Sequence, residues 1–499
     1  MKHLGAIELI DVVLDADSFA SWDEPIPEPR GASEAYLDEL AEARRRSGGD
    51  EAVITGRGLV RGMAVAVIVS EFRFLGGSVG VACANRIEAA VRRATAEGLP
   101  LLAAPASGGT RMQEGTVAFV QMIRITAAII DHRAAGLPYL VYLRHPTMGG
   151  VFASWGLLGH ITVAEPGALL GFLGPKVFEA LSGTPFPDGV QTAENLAAHG
   201  LIDAVVRPDE LADLAARVLT ILALPAAEPV EVTPFVPQVA RDVWESITVT
   251  RDPRRPGARD ILRFAAEDAV PLFGTSEGEQ QPGLILALAN LCGVACVVIG
   301  QDRVTQRRYG PIGPDGLRQV RRGIRLAAEL DLPLVTIIDT PGARLSRESE
   351  EGGLAGEIAR CLVDLLRLPT PTVALLLGEG GGGGALALLP ADRILATENA
   401  WLSPLPPEGA SAIVHDGSTQ FAAELAELQG VAADRLVASG IVDALIDESA
   451  LASRDYRGFA REVARGLADQ IFIASTLPQA ERLHERSNRF HRVDAGAAT

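Results

Sequence analysis

Lysine is nearly absent from this chain: Lys2 and Lys176 are the only two among 45 basic residues, so arginine supplies almost all positive charge. No Gly-Lys-Ser or Gly-Lys-Thr is present to build a phosphate-binding loop. Lys176, in Gly174-Pro175-Lys176-Val177, reads as an exposed loop residue rather than a Schiff-base former. Cysteine is also scarce. Cys83, Cys292, Cys296 and Cys361 are too few and too scattered for a disulfide framework, and Cys292 and Cys296, on an apolar segment, read as small packed hydrophobes. Long apolar runs are missing: Pro100–Ala106 and Leu332–Ile338 stop far short of the roughly 18 residues of a membrane span. No basic-then-apolar leader opens Met1-Lys2-His3-Leu4, and a soluble, cytoplasmic protein is expected. Positive charge is in deficit, 45 Lys+Arg against 63 Asp+Glu for a net −18, which argues against a nucleic-acid partner. The eight histidines show no metal spacing, so no metal is expected; His145 and His415, close to glycine turns, read as structural. No G-x-S-x-G elbow occurs either.

What is present is a large apolar fraction, 48% against 22% charged, in 499 residues, enough for two to four domains. The first 50 residues read as an N-terminal extension, with a turn-rich Pro25-Ile26-Pro27-Glu28-Pro29 and a helix from about Ser33 to Arg46 that ends at Ser47-Gly48-Gly49. Pro225, Pro229, Pro234 and Pro237 have linker composition. The expected division is a domain over 51–228, a linker over 229–256 and a second domain over 257–499.

The two sides repeat at a fixed offset of 233 residues. Gly77 falls on Gly310, Leu99-Pro100-Leu101 on Leu332-Pro333-Leu334, Gly109 on Gly342, Arg111 on Arg344, Gly149-Gly150 on Gly382-Gly383, and Glu165 on Glu398. After a seven-residue insertion, Gly200 to Ala204 falls on Gly440 to Ala444. Each copy alternates helices such as Asn85–Glu97 with short apolar runs and glycine turns, the pattern of an α/β fold that gathers strand ends and helix starts. There are two such turns per half: Ser107-Gly108-Gly109 and Met148-Gly149-Gly150, then Thr340-Pro341-Gly342 and Gly380 to Gly384.

A glycine turn opening a helix leaves backbone N–H groups aimed at one spot, which suits an oxyanion. Gly378 to Gly383 also matches G-x-G-x-x-G, but inside a five-glycine run that match carries little weight for dinucleotide binding. The chemistry left is stabilisation of a thioester enolate and of a second oxyanion on a partner reactant. One such donor is worth on the order of 3 kcal/mol in a transition state.

At these motifs the sequence resembles the carboxyltransferases of biotin-dependent acyl-CoA carboxylases. Gly56-Arg57-Gly58, Phe74 to Ser78, Ser107 to Gly115, Pro146 to Val151, and Ala164-Glu165-Pro166 through Gly171 to Pro175 look like the acetyl-CoA carboxylase β subunit. Gly316 to Arg325, Ile338 to Ala343, Gly378 to Ala387 and Pro407 to Ala412 look like its α subunit, and the single-chain form is of the actinobacterial type. The resemblance implies two tandem crotonase-like domains, the first holding acyl-CoA and the second carboxybiotin, in a homo-oligomer, a hexamer, where one subunit's first domain faces another's second. It implies N–H donors at Gly108, Gly109, Gly149 and Gly150 on the CoA side, and an oxyanion hole at Gly384 and Ala385 for the ureido oxygen. Ser107, Gly342 and Gly383, in the same motifs, are expected to contact CoA or biotin, and Arg44-Arg45-Arg46 are candidates for the CoA phosphates.

Neither lysine stands in the Met-Lys-Met setting of a biotinyl carrier, so a biotin carboxylase and carrier subunit is the expected partner. The expected reaction gives malonyl-CoA from acetyl-CoA, as in fatty acid biosynthesis, with propionyl-CoA as a second acceptor. A biotin-independent malonyl-thioester decarboxylase and a non-catalytic CoA-binding scaffold are the alternatives, and a hydratase would need a pair such as Glu114 and Glu379. The chain departs from the resemblance twice. Nothing before Cys83 can build a zinc ribbon, and Arg344-Leu345-Ser346-Arg347 is more charged than the usual turn, its neighbours Arg303, Arg307 and Arg308 being read as partners for Glu348–Glu351 or as a steering patch.

Overall fold

The computed structural model describes residues 3–29, 31–232, 235–236 and 241–493; Lys2, Pro234 and Pro237 lie outside them. The chain divides into two units, one made of residues up to Thr220 together with Ser276–Gly278, the other of Ile221–Thr275 and Glu279 onward.

The first unit is a seven-stranded sheet. Its strands are β1 (Ala20–Ser21), β2 (Val53–Val60), β3 (Met63–Ser70), β4 (Leu101–Ala104), β5 (Tyr139–Leu143), β7 (Ile161–Ala164) and β9 (Ala204–Val205), in that order, with β6 (Thr147–Met148) and β8 (Leu170–Gly171) pairing apart from it. β2 and β3 form an antiparallel hairpin, and from β3 onward neighbours run parallel. Parallel strands are covered on both faces, which is why β4 and β5 read as unbroken apolar runs and are wholly buried. Its helices include α1 (Ala6–Val13), α2 (Glu34–Ser47), α3 (Val81–Ala96), α4 (Gly115–Ala134), α5 (Gly149–Phe152) and α6 (Pro175–Ser182).

Ser33 caps α2 by accepting from Tyr36 N–H, and Gly48, at φ 74°, ends it in the left-handed conformation that glycine adopts without strain. The first 50 residues are part of this unit rather than a separate layer. Tyr36, Leu40 and Ala43 join the core that contains Phe74, Tyr139 and Trp155. Ala6 N–H donates to Glu71 at 2.8 Å, and the Arg144 guanidinium donates to Leu4 O.

The second unit repeats the design with β10 (Ala266–Leu272), β11 (Leu284–Leu291), β12 (Val294–Gln301), β13 (Leu334–Thr340), β14 (Thr372–Gly381), β15 (Arg393–Thr397) and β17 (Ala444–Ile446) in order, and β16 (Trp401–Ser403) paired to the end of β14. Its helices include α7 (Val243–Thr250), α8 (Pro314–Glu329), α9 (Leu354–Arg367), α10 (Gly382–Leu386) and α11 (Pro407–Val414). Where linker was expected over 229–256, α7 stands capped by Asp242 and packs through Val243 and Ile247 against Trp401.

The repeat is visible bond by bond. Both hairpins turn on two residues of positive φ, Arg61-Gly62 and Cys292-Gly293, so Cys292 is a half-buried turn residue while Cys296 packs fully buried in the strand. Tyr139 N–H donates to His160 Nδ1 and Thr372 N–H to the Asp392 carboxylate, at 3.0 and 2.8 Å. Thr162 and Ile394 N–H likewise donate to Asp203 and Asp443, at 2.9 and 2.7 Å. These pairs correct the offset beyond the second glycine turn: it slips by one residue there, so Glu165 is matched by Thr397 rather than Glu398, and the insertion before Gly440 is correspondingly one longer. Among the described residues no helix is long and apolar enough to cross a membrane.

Candidate functional site

Each unit builds its first glycine turn in the same way. In the first, Ser107 Oγ accepts from Gly109 N–H at 3.0 Å, Gly109 O accepts from Val79 N–H at 2.9 Å, and Arg111 N–H returns to Val79 O at 3.0 Å. In the second, Thr340 Oγ1 accepts from Gly342 N–H at 3.2 Å and Arg344 N–H donates to Ile312 O at 2.9 Å. These bonds correct one expectation. Gly108 N–H is bonded to Gly76 O at 2.9 Å and Gly109 N–H to Ser107, so neither is open to a ligand; Gly342 N–H is closed in the same way.

The second turns supply the open donors. β6 passes into α5 at Gly149 (φ 61°) and β14 into α10 at Gly382 (φ 57°), a backbone conformation that favours glycine. A helix that begins there leaves its first amides without partners inside the helix: Gly149, Gly150 and Val151 in one unit, Gly382, Gly383 and Gly384 in the other. Ala385 is one position too far, because its N–H closes the first turn onto Gly381 C=O; the expected Gly384–Ala385 pair becomes Gly383 and Gly384.

The two turns of each unit meet. A methyl on Gly109 would stand 3.6 Å from Met148 O and 3.7 Å from Gly150 N, and one on Gly384 would stand 3.0 Å from Gly342 C and 3.1 Å from Ala343 N. Close approach crowds any side chain at Gly384, and a φ of 113° favours glycine at Gly109.

The backing of the two turns differs. Under the first, Arg111 and Glu51 form an ion pair with 1% and 2% side-chain exposure, and Arg111 also donates to Ser78 O at 2.8 Å. Glu114 accepts from Val81 N–H at 2.6 Å, capping α3, and from Tyr36 Oη at 2.5 Å; burial and this bond push the Tyr36 hydroxyl up to about 12. Glu114 is thus a helix cap.

Behind the second turn, Asp339 is fully buried, 3.3 Å from Arg303 Nε, and accepts from Glu379 N–H at 3.1 Å; burial raises its carboxyl to about 6 despite Arg303. Glu379 accepts from Arg251 Nε at 3.2 Å, and Arg251 grips Glu408 through two bonds of 2.6 and 3.0 Å. The basic cluster does not take up the acidic run as expected. Arg303 faces Asp339, Arg307 donates to Arg251 O at 2.5 Å, Arg308 lies over Tyr309, and Glu351 pairs with Arg347. Leu345, in the charged turn, is 84% exposed.

In the first unit a cavity of about 670 Å³ opens beside the Arg111, Glu51 and Glu114 side chains, lined by Trp22, Ile26, Tyr36, Arg44, Ala89 and Arg111 among others. Arg44 faces it with no side-chain bond to a described residue, whereas Arg45 is exposed and tied to Glu42 at 2.5 Å, and Arg46 is exposed and lies outside the lining. A cavity of about 480 Å³ in the second unit reaches Gly382 and Gly383, with Leu386, Leu402, Ser403 and Leu436 in its walls. Lys176 stands on the first turn of α6 instead of in a loop. His145 Nδ1 accepts from Leu169 N–H at 3.1 Å and its ring stacks on His3, while His415 leans on Phe421; both are structural roles. Among the described residues no three His, Cys, Asp or Glu side chains are grouped to hold a metal.

The residues behind the turns that the sequence did not single out are Tyr36, Glu51, Arg251, Asp339 and Glu408. Asp339 carries a faint signal, immediately preceding a glycine turn. Arg251 carries none, since its partners lie 128 and 157 residues away.

The carboxyl transferase domain family matches residues 3–480 of this chain. The chain belongs to that family. Among its relatives, a probable biotin-dependent acyl-coenzyme A carboxylase beta3 subunit of Mycobacterium tuberculosis is 54% identical over 99% of both chains. An acetyl-coenzyme A carboxylase carboxyl transferase subunits beta/alpha protein of Saccharopolyspora erythraea is 36% identical over 98% of this chain and 89% of its own. The fold is similar to that of transcarboxylase 12S, at TM-score 0.75 and 20% identity over 95% of this chain and 90% of that one. The two units are therefore the tandem crotonase-like domains of a carboxyl transferase, and in each the second glycine turn opens a helix.

Proposed function

We propose that this carboxyl transferase is the component of a biotin-dependent acyl-CoA carboxylase that passes a carboxyl group to acetyl-CoA, giving malonyl-CoA for fatty acid synthesis. The observation that carries the reading is the meeting of two glycine turns in each unit, with open amides at Gly150 and at Gly383 and Gly384. Two sets of backbone donors suit two reactants whose carbonyl oxygens take up negative charge as the carboxyl group is transferred. The similarity to acyl-CoA carboxylase subunits supports the choice of reactants.

The Gly383 and Gly384 amides fit the ureido oxygen of biotin, a neutral acceptor that needs N–H donors and no counter-ion, and the crowding against Gly342 leaves no room for a Cβ beside them. Biotin, brought by a biotin carboxylase and carrier subunit, supplies an activated carboxyl group. On the CoA side, the Gly150 N–H would stabilise the thioester oxygen as the α-carbon gives its proton to the biotin nitrogen that has released the carboxyl group, and Arg44 would hold a phosphate at the 670 Å³ cavity. The buried Arg111–Glu51 pair keeps the loop that faces Gly149 and Gly150 rigid.

The chain acts in the cytoplasm as a homo-oligomer, a hexamer. The outer face of α4 supports association, since Phe119, Ile123 and Ile130 are 62%, 71% and 58% exposed in a line of apolar residues. Propionyl-CoA is the second acceptor, because an apolar pocket separates one methylene by only about 1–3 kcal/mol.

The test is fixation of labelled bicarbonate by this chain with a biotin carboxylase, a biotinylated carrier and ATP. Label in malonyl-CoA with acetyl-CoA preferred supports the reading; label only with longer acyl-CoAs rejects the acetyl assignment, and no label with any acyl-CoA rejects the reaction.

A further inference from the structure

The stretch Gly378 to Gly384 presents seven residues that must place two amides to within a few tenths of an ångström, and only Glu379 among them has a side chain. Glycine has the largest backbone freedom to lose on ordering, so a glycine strand does not hold its own geometry. In the first unit the matching residues are His145-Pro146-Thr147-Met148, anchored by side chains: Thr147 Oγ1 lies 2.9 Å from Pro105 O and 2.8 Å from Arg144 O, and His145 Nδ1 holds Leu169. In the second unit the backbone of Glu379, Gly380 and Gly381 pairs with Trp401, Leu402 and Ser403 of β16, and no side chain before the turn other than that of Glu379 can anchor it.

What it has is Glu379, pinned on two sides. Its N–H donates to Asp339 at 3.1 Å, and its carboxylate receives Arg251 Nε at 3.2 Å. The other guanidinium nitrogens of Arg251 bind both oxygens of Glu408, in the first turn of α11, while Trp244 lies under the guanidinium at 5.8 Å. The planar fork of arginine grips Glu408 with two bonds while its Nε holds Glu379, a fixed geometry that an ammonium does not reproduce. Arg251 comes from the end of α7, the segment whose composition suggested a linker.

We infer that Arg251 is a positioning residue, bridging Glu379 and Glu408 so that the Gly383 and Gly384 amides stay aimed at the ureido oxygen. This rests on the carboxyl transfer reading of the same site. Its consequence is selective: it acts on the biotin end of the reaction and leaves the first unit alone.

The experiment uses the full chain, with malonyl-CoA decarboxylation driven by free biotin and, in parallel, amide hydrogen exchange. For Arg251→Met the expected result is a KM for biotin raised about tenfold with a lowered kcat, and a KM for malonyl-CoA within about twofold of the parent. Exchange should quicken over 378–385 and stay unchanged over 107–115. Arg251→Lys, which loses the two-bond grip on Glu408, and Glu408→Gln, which removes that carboxylate's charge, should fall between parent and Arg251→Met.

Unchanged KM for biotin with unchanged exchange over 378–385 in all three variants overturns the inference. Equal loss on both substrates, with exchange quickened in both turns, also overturns it and makes Arg251 a general structural residue. Absence of biotin-dependent turnover in the parent chain defeats the functional reading instead, and the exchange data then still decide whether Arg251 holds the glycine strand.

Discussion

Arg111 Nη1 lies 2.9 Å from Glu51 Oε2, and both side chains are almost fully removed from water beneath the first glycine turn. Breaking one side of such a pair strands a buried charge, which costs about 3–5 kcal/mol. Arg111→Met or Glu51→Gln is therefore expected to lower the unfolding free energy by that amount in urea titrations. Its repeat mate Arg344 is 35% exposed and its nearest carboxylate, Asp315, is 4.0 Å away. Arg344→Met is expected to cost less than about 1 kcal/mol.

His132 carries the clearest pH dependence. Burial holds its imidazole down to about 4 from 6.5, while its ring bonds Thr95 at 3.0 Å and Pro138 O at 3.3 Å. The unfolded chain then binds a proton that the folded chain refuses, so stability rises with pH between about 4 and 6.5 and falls as pH drops through that window. Replacing His132 with Gln is expected to remove up to about 3 kcal/mol of this slope. The check is urea unfolding at several pH values across the window.

Arg44 and Arg45 should separate in kinetics. Arg44 faces the cavity of the first unit and Arg45 is held by Glu42 in solvent. Arg44→Ala is expected to raise KM for malonyl-CoA about tenfold, as for loss of a hydrogen bond to a charged group, and Arg45→Ala to leave it unchanged. A malonyl thioester of N-acetylcysteamine, which lacks the nucleotide, should not distinguish the two variants.

Gly384→Ala should abolish the aim of the biotin-side donors. The added methyl would lie 3.0 Å from Gly342 C, so the two turns must part. A loss of about a hundredfold or more in biotin-dependent turnover is expected, with the far-ultraviolet circular dichroism unchanged.

Much of the fold was legible because the chain states it twice. Leu99-Pro100-Leu101 and Leu332-Pro333-Leu334 open matching strands, and the glycine pairs at 149 and 382 fall where positive φ is needed. The site was legible as turns but not as donors. Which amides are open depends on Ser107 and Gly76 closing Gly109 and Gly108, and on α10 starting at Gly382, a boundary one residue too fine for spacing to set. The pairing of Arg251 was not legible: it meets Glu379 and Glu408 across long sequence separations, in a stretch whose prolines suggested a linker.

The most direct measurement is release of acetyl-CoA from malonyl-CoA by the purified chain, with and without free biotin. Release that requires biotin, and that Gly384→Ala abolishes, is the result this account expects. Release at the same rate without biotin, or none in either condition, would contradict it.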